Sequence, residues 1–137
     1  MSQLKLETHD NRTQFAPGQM IEGLAGWQVE EPPERVTLYL FWHTTGKGDR
    51  DVGVIDKLEY ENAVAVDAQI FSFKAPDGPY SYDGKLIAIH WALELVVEPG
   101  HRVERLDLII SPTGAPITPP ADAEPAEASA GFKFSFQ

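Results

Sequence analysis

The run Lys85-Leu86-Ile87-Ala88-Ile89-His90-Trp91-Ala92-Leu93-Glu94-Leu95-Val96-Val97 decides the fold. Ile87, Ile89, Trp91, Leu93, Leu95 and Val97 share one parity, and successive side chains of a strand alternate between faces, so all six lie on one side. A face that apolar belongs to a core. The other parity, with Leu86, Ala88, His90, Ala92, Glu94 and Val96, is mixed and suits a face partly wet and partly covered by a neighbour. A buried helix is the competing reading of a short apolar run. The Ile and Val content, and the corner Pro76-Asp77-Gly78-Pro79-Tyr80-Ser81-Tyr82-Asp83-Gly84 before it, favour a central strand of an antiparallel sheet.

Working outward, Pro99-Gly100 turns the chain back, and residues 102–111 return with Leu106, Leu108 and Ile110 on one side. Upstream of the corner, residues 69–73 place Phe71 and Phe73 on one face, after a short extended piece at residues 62–67. Residues 35–42 read as a strand with Val36, Leu38, Leu40 and Trp42 inward and Thr37, Tyr39 and Phe41 outward. Two outward aromatics call for cover from something. The polar stretch His43-Thr44-Thr45-Gly46-Lys47-Gly48-Asp49-Arg50 reads as a hairpin turn, after which residues 51–60 resume alternation with Val52, Val54 and Leu58. Nearer the start, Leu4-Lys5-Leu6-Glu7 suits an edge strand, residues 8–14 a loop, and Phe15-Ala16-Pro17-Gly18-Gln19 a turn in which Pro presets φ and Gly takes the positive-φ position. Residues 20–27 follow with Ile21, Ala25 and Trp27 on one parity. Gly23 among them marks a bulge or a close backbone approach.

Seven or eight short strands with turn signals between them and no helical window specify an all-β protein, an antiparallel Ig-like β-sandwich over residues 1–112. Residues 113–130, rich in Pro, Ala and Glu, are too poor in bulky apolar side chains to pack and read as a linker. After it, Gly131-Phe132-Lys133-Phe134-Ser135-Phe136-Gln137 is an aromatic alternation, expected to form a last strand or a docking tail over residues 131–137.

With 137 residues the chain has room for one domain with a real core. It has no cysteine, which excludes disulfides, thiolate metal sites and thiol nucleophiles and permits a reducing compartment, so a cytoplasmic location is expected. The first residues are polar with no signal-peptide pattern, and no apolar run is long enough for an integral membrane segment. Eleven basic against 21 acidic residues leave a net charge of −10, which repels nucleic acid and anionic lipid and points to protein partners.

Two motifs carry a family resemblance. Phe15-Ala16-Pro17-Gly18-Gln19 followed by Ile21 and Gly23 is similar to the turn and second strand of the arrestin amino-terminal domain. Phe71-x-Phe73, Pro79-Tyr80-Ser81-Tyr82-Asp83-Gly84 and the Ile-x-Ile/His-Trp strand after them resemble the arrestin succession of Phe-x-Phe, Pro-x-Ser-aromatic-x-Gly and a long strand. Order and spacing agree over about residues 4–111. The resemblance implies an arrestin-like sandwich serving as a protein-binding scaffold and no enzyme. Arrestins have two such domains and this chain has room for one. Their phosphate-reading lysines and buried polar-core arginine have no counterpart that can be matched here, so phosphate sensing is not carried over.

No chemistry-bearing constellation stands out. His9, His43, His90 and His101 are far apart with no ligand spacing, and His90 reads more simply as an outward strand residue. Gly46-Lys47-Gly48 lacks the P-loop arrangement, and Asp49 and Asp51 supply two carboxylates where calcium takes six to eight oxygens. Ser81 has no nucleophile elbow and is expected to bond backbone at its corner. No catalytic residue, cofactor or metal is therefore expected. The candidate partner-binding residues are Tyr39, Phe41, Tyr80, Tyr82, Phe132, Phe134 and Phe136. They suit a protein partner of unidentified kind, a homodimer formed by edge-strand or tail exchange, or, as the alternative, a small ligand or carbohydrate held by the exposed aromatics. For the three phenylalanines, docking in cis is preferred to disorder, since burying each ring is worth roughly 1.5 to 3 kcal/mol.

Overall fold

Trp91, Leu93 and Leu95 are fully buried, and the strand that carries them, β8 (Ile87–Glu98), lies between β4 (Arg35–Gly46) and β9 (Arg102–Ile110). The computed structural model describes residues 2–46, 51–84 and 86–118. Before β4 come β1 (Gln3–Thr8), a 3-10 turn at His9–Asn11, β2 (Gln14–Phe15) and β3 (Met20–Gln28). After it come β5 (Val52–Tyr60), β6 (Val66–Lys74) and β7 (Tyr82–Asp83). They form two sheets. The smaller has the order β1-β3-β6, and the larger runs β2-β9-β8-β4-β5 with β7 paired to β8.

This is the all-β, antiparallel sandwich that the alternation predicts, with one departure: β2 pairs with β9 in parallel. The inward parities of both sheets meet in one core, Ile21, Ala25, Trp27, Phe71 and Phe73 from the small sheet against Val36, Leu38, Leu40, Trp91, Leu93 and Leu95 from the large one. Trp91 Nε1 donates to the Pro79 carbonyl at 2.6 Å, so its one polar atom is satisfied. Gly23 is a close approach and no bulge. A Cβ there would lie 2.8 Å from the Thr8 Cα and 2.7 Å from the Phe71 ring, and would collide with the Glu7 carbonyl. Gly18 takes φ +86°, and Gln19 N–H donates to the Ala16 carbonyl at 3.0 Å, which closes the turn expected at Pro17-Gly18.

Four local readings change. β4 does not stop at Trp42: residues 43–46 stay in register with β8 as far as Gly46 opposite Ile87, because the partner strand is long enough to hold them. Val52 and Val54 do not share a face with Leu58. The register shifts between Leu40 and Phe41, where Ile55 is the extra residue on β5, and one inserted residue reverses every side chain beyond it. Residues 66–74 are one strand, and residues 62–65 of the separate extended piece expected at 62–67 lie outside any strand. Ile87 shares the core parity but is 36% exposed at the strand's end.

The start of the expected linker is tied to the sandwich. Ile117 N–H donates to the Ser81 carbonyl at 2.8 Å, Asp83 N–H to the Ile117 carbonyl at 2.9 Å, and Ser111 Oγ to the Ala115 carbonyl at 2.6 Å. No helix among the described residues is long and apolar enough to cross a membrane.

Replacing Trp91 by Ala empties a fully buried site in the central strand and is expected to cost about 3 to 5 kcal/mol. His90→Ala, on the opposite and exposed face, is expected to cost under about 1 kcal/mol. Urea midpoints of the two variants check the ranking.

Candidate interaction surfaces

The outward face of the large sheet carries Tyr39 and Phe41, and it covers Phe41 with its own side chains. Phe41 is only 6% exposed. The Arg105 guanidinium sits 5.2 Å from its ring centroid and is held by Glu94 at 3.9 Å, and the His43 ring stacks on it at 5.9 Å. His43 in turn stacks on His90 at 5.1 Å, and His90 Nε2 shares a hydrogen bond of 2.9 Å with Thr45 Oγ1. The cover that two outward aromatics called for is therefore internal, and Phe41 is withdrawn from the exposed set. Tyr39 stays half-buried, opposite Glu94 and Lys57.

Tyr80 and Tyr82 do not join them. Tyr82 lies opposite Ile89, on the parity of Trp91, whereas Phe41 lies opposite Ala92 on the other face. Tyr82 is packed so closely on Gly84 that a Cβ there would sit 2.9 Å from the phenol oxygen. Ser81 bonds backbone as expected: its buried Oγ accepts from the Ile110 N–H at 3.0 Å. Tyr80 alone of this corner is an exposed aromatic, at 37%. Phe132, Phe134 and Phe136 lie outside the described residues. Thr44 and Asp51 are joined by two hydrogen bonds, Thr44 N–H to the Asp51 carbonyl at 3.0 Å and Asp51 N–H to Thr44 Oγ1 at 2.9 Å, and residues 47–50 between them lie outside the described residues. Among the described residues no three His, Asp or Glu side chains are grouped to hold a metal ion.

The feature that alternation alone did not single out is an edge. A sheet edge presents unpaired peptide groups, and proteins protect such edges with charge, bulges or short length. β1 carries the exposed pair Lys5 and Glu7, 3.8 Å apart. β5 has its bulge and the pair Lys57 and Glu59 at 3.5 Å. β2 is two residues long.

β6 is protected less: no bulge interrupts it, and its charges are Lys74 at the end and the inward Asp67, whose Oδ1 accepts from the Ala68 N–H at 2.8 Å and whose Oδ2 accepts from Gln69 Nε2 at 2.8 Å. It runs for nine residues in unbroken register with β3, from Met20 opposite Lys74 to Gln28 opposite Val66. Its outward side chains are Val66, Ala68, Ile70, Ser72 and, at the end, Lys74. Ile70 is 80% exposed, more than any other large apolar side chain among the described residues. The Tyr60 hydroxyl donates to the Ile70 carbonyl at 3.4 Å, while the Ala65 carbonyl accepts from Val29 N–H at 2.8 Å. Odd residues thus turn their peptide groups toward β3 and even ones toward the free side.

Beside this edge an open groove of about 880 Å³ is lined by Leu24, Leu58, Tyr60, Ile70 and Phe71 together with Glu7, Asp10 and Glu22. Tyr60 is half-buried against Trp27, with ring centroids 5.6 Å apart, and that burial pushes its phenol pKa up. The signal for β6 lay in Val66 and Ile70, apolar residues on the parity opposite Phe71 and Phe73, which a half-wet face does not require.

No family model matches the chain, and no curated protein matches it. Among solved structures it is similar to Spo0M, a sporulation control protein from Bacillus subtilis, with a TM-score of 0.48 and 14% identity over 81% of this chain and 48% of that one. The chain thus spans about half the length of that structure. At that level of likeness the sandwich rests on the chain's own strand pairing.

Because the folded state disfavours the Tyr60 phenolate, that contribution to stability is complete below the unfolded phenol value of about 10 and is lost as pH rises through the higher folded value. Thermal melts above about pH 10 are expected to show this loss, and Tyr60→Phe to flatten it. Phenolate absorbance near 295 nm reads the same group directly, as a late-titrating fraction of the tyrosine signal.

Proposed function

We propose that this chain is a non-enzymatic protein-interaction module of single-domain, arrestin-like type, acting in a reducing compartment such as the cytoplasm. It receives an extended segment of a protein partner as an added strand on β6. The observation that carries the reading is the edge itself, with even-numbered peptide groups facing outward and Ile70 80% exposed. Strand addition uses such groups for affinity and pockets for alternate side chains for specificity. A matching partner presents apolar residues at every second position and basic residues toward Glu7, Asp10 and Glu22. The net charge of −10 disfavours nucleic acid and anionic membranes as alternatives. A ligand pocket built from Tyr39, Phe41, Tyr80 and Tyr82 is disfavoured, because these residues are split between two faces and Phe41 is covered.

A photoreactive phenylalanine analogue introduced at position 70 of the full chain, in its native host, tests this. Adducts to a discrete protein are expected from position 70 and not from the exposed position 104 on β9. Equal labelling from both positions, or none from either, would sink the reading.

A further inference from the structure

The open edge raises the question of what covers it when no partner is bound, and the answer that follows rests on the protein-interaction reading above. We propose that the aromatic segment Gly131-Phe132-Lys133-Phe134-Ser135-Phe136-Gln137 of the same chain adds to β6 as a strand and is the resident occupant that a partner displaces.

The segment has the pattern such an edge selects. In an extended chain Phe132, Phe134 and Phe136 fall on one side and Lys133 and Ser135 on the other. Residues two apart along a strand are separated by roughly 6.8 Å, so the three rings span about 14 Å, the run from Ala68 to Ser72. Rings turned inward meet Leu58, Tyr60 and Phe71 along the groove. Lys133, turned outward, is the one charged side chain of the segment, and it lies on the outward face of the sheet that carries Glu22 two strands away. The other long edges are poor hosts, since β5 breaks register at its bulge, β1 presents Lys5 and Glu7, and β9, which β2 pairs only at Ile109 and Ile110, carries Arg102, Glu104, Arg105 and Asp107 along the rest of its length.

Reach is sufficient. Ile117 is hydrogen-bonded to Ser81, just beyond the corner into which β6 runs. Fifteen residues from there to Phe132 span up to about 50 Å when extended, against about 30 Å for the length of β6. A tether of that length holds the segment at an effective concentration of order millimolar, which favours the same chain over a second copy at ordinary protein concentrations. A docked segment lowers the apparent affinity of any partner by the fraction of molecules in which the edge is open.

Amide hydrogen exchange on the full chain decides the matter. The N–H groups of Ile70 and Ser72 face the free side and have no partner strand there among the described residues. Their protection therefore reports occupancy of the edge, whereas the odd residues of β6, bonded to β3, serve as internal controls. Phe134→Ser is expected to speed exchange at Ile70 and Ser72 by about tenfold or more and to leave the odd residues unchanged, while Phe134→Leu keeps the protection. The protection in the unaltered chain is expected to be the same across a wide range of protein concentration.

Unchanged exchange at Ile70 and Ser72 in Phe134→Ser overturns the proposal. Protection that appears only at high concentration overturns it in favour of a second copy. If the segment proves undocked while position 70 still labels a partner protein, the interaction reading stands without this occupant. If the segment docks but no partner is ever labelled, that reading falls instead.

Discussion

The antiparallel ladder between β4 and β8 is the constraint on which the rest depends. Twelve residue pairs, from Arg35 opposite Glu98 to Gly46 opposite Ile87, hold the two longest strands together. Because their parities coincide, Val36, Leu38 and Leu40 reach the core on the same side as Leu93, Leu95 and Val97. A one-residue slip of this ladder would turn Trp91 and its neighbours to solvent and bring His90 and Glu94 inward, so burial fixes the register. β9 and β5 attach to the outer sides of this pair, and the small sheet closes over the apolar face the pair creates.

What could be read from the residues was whatever depended on that parity. The inward sets of β3, β4, β8 and β9, the Gly23 approach, the Pro17-Gly18 turn and the backbone role of Ser81 all follow from local chemistry and appear in the fold. What could not be read depended on a neighbour. The Ile55 bulge is defined by Leu40 and Phe41 across the ladder, and without them Val52, Val54 and Leu58 look like one face. Phe41 looks exposed until Arg105, more than sixty positions along the sequence, is laid over it. Tyr39 and Tyr82 look alike as aromatics and are separated by the sheet itself. The candidate surface was harder to read than the fold for a related reason: an edge is defined by the strand that is missing beside it, and Val66 and Ile70 mark an apolar outward parity without showing that β6 ends its sheet.

β1, β5 and β6 show how differently one chain can treat the same physical liability. β1 and β5 carry Lys-Glu pairs within 4 Å, of small value to stability when this exposed but costly to desolvate under an added strand. β6 keeps Val66 and Ile70 on its outward side and a regular backbone. An apolar edge covered only by Asp67 at the Ala68 N–H and by Tyr60 at the Ile70 carbonyl invites aggregation, so its retention in a chain that places charge pairs on β1 and β5 argues for use.

The stack of Trp27 on Tyr60 has an optical consequence. The indole donates to the Val64 carbonyl at 2.8 Å and is 3% exposed, while the phenol against it reaches the Ile70 carbonyl on the wall of the groove. Trp42 and Trp91 belong to the other sheet, where the first lies over Gly53 and the second bonds Pro79. Trp27 is therefore a native fluorophore one ring away from the open edge. Its position makes it the indole placed to sense what lies against β6, while those of the large sheet sit on other contacts.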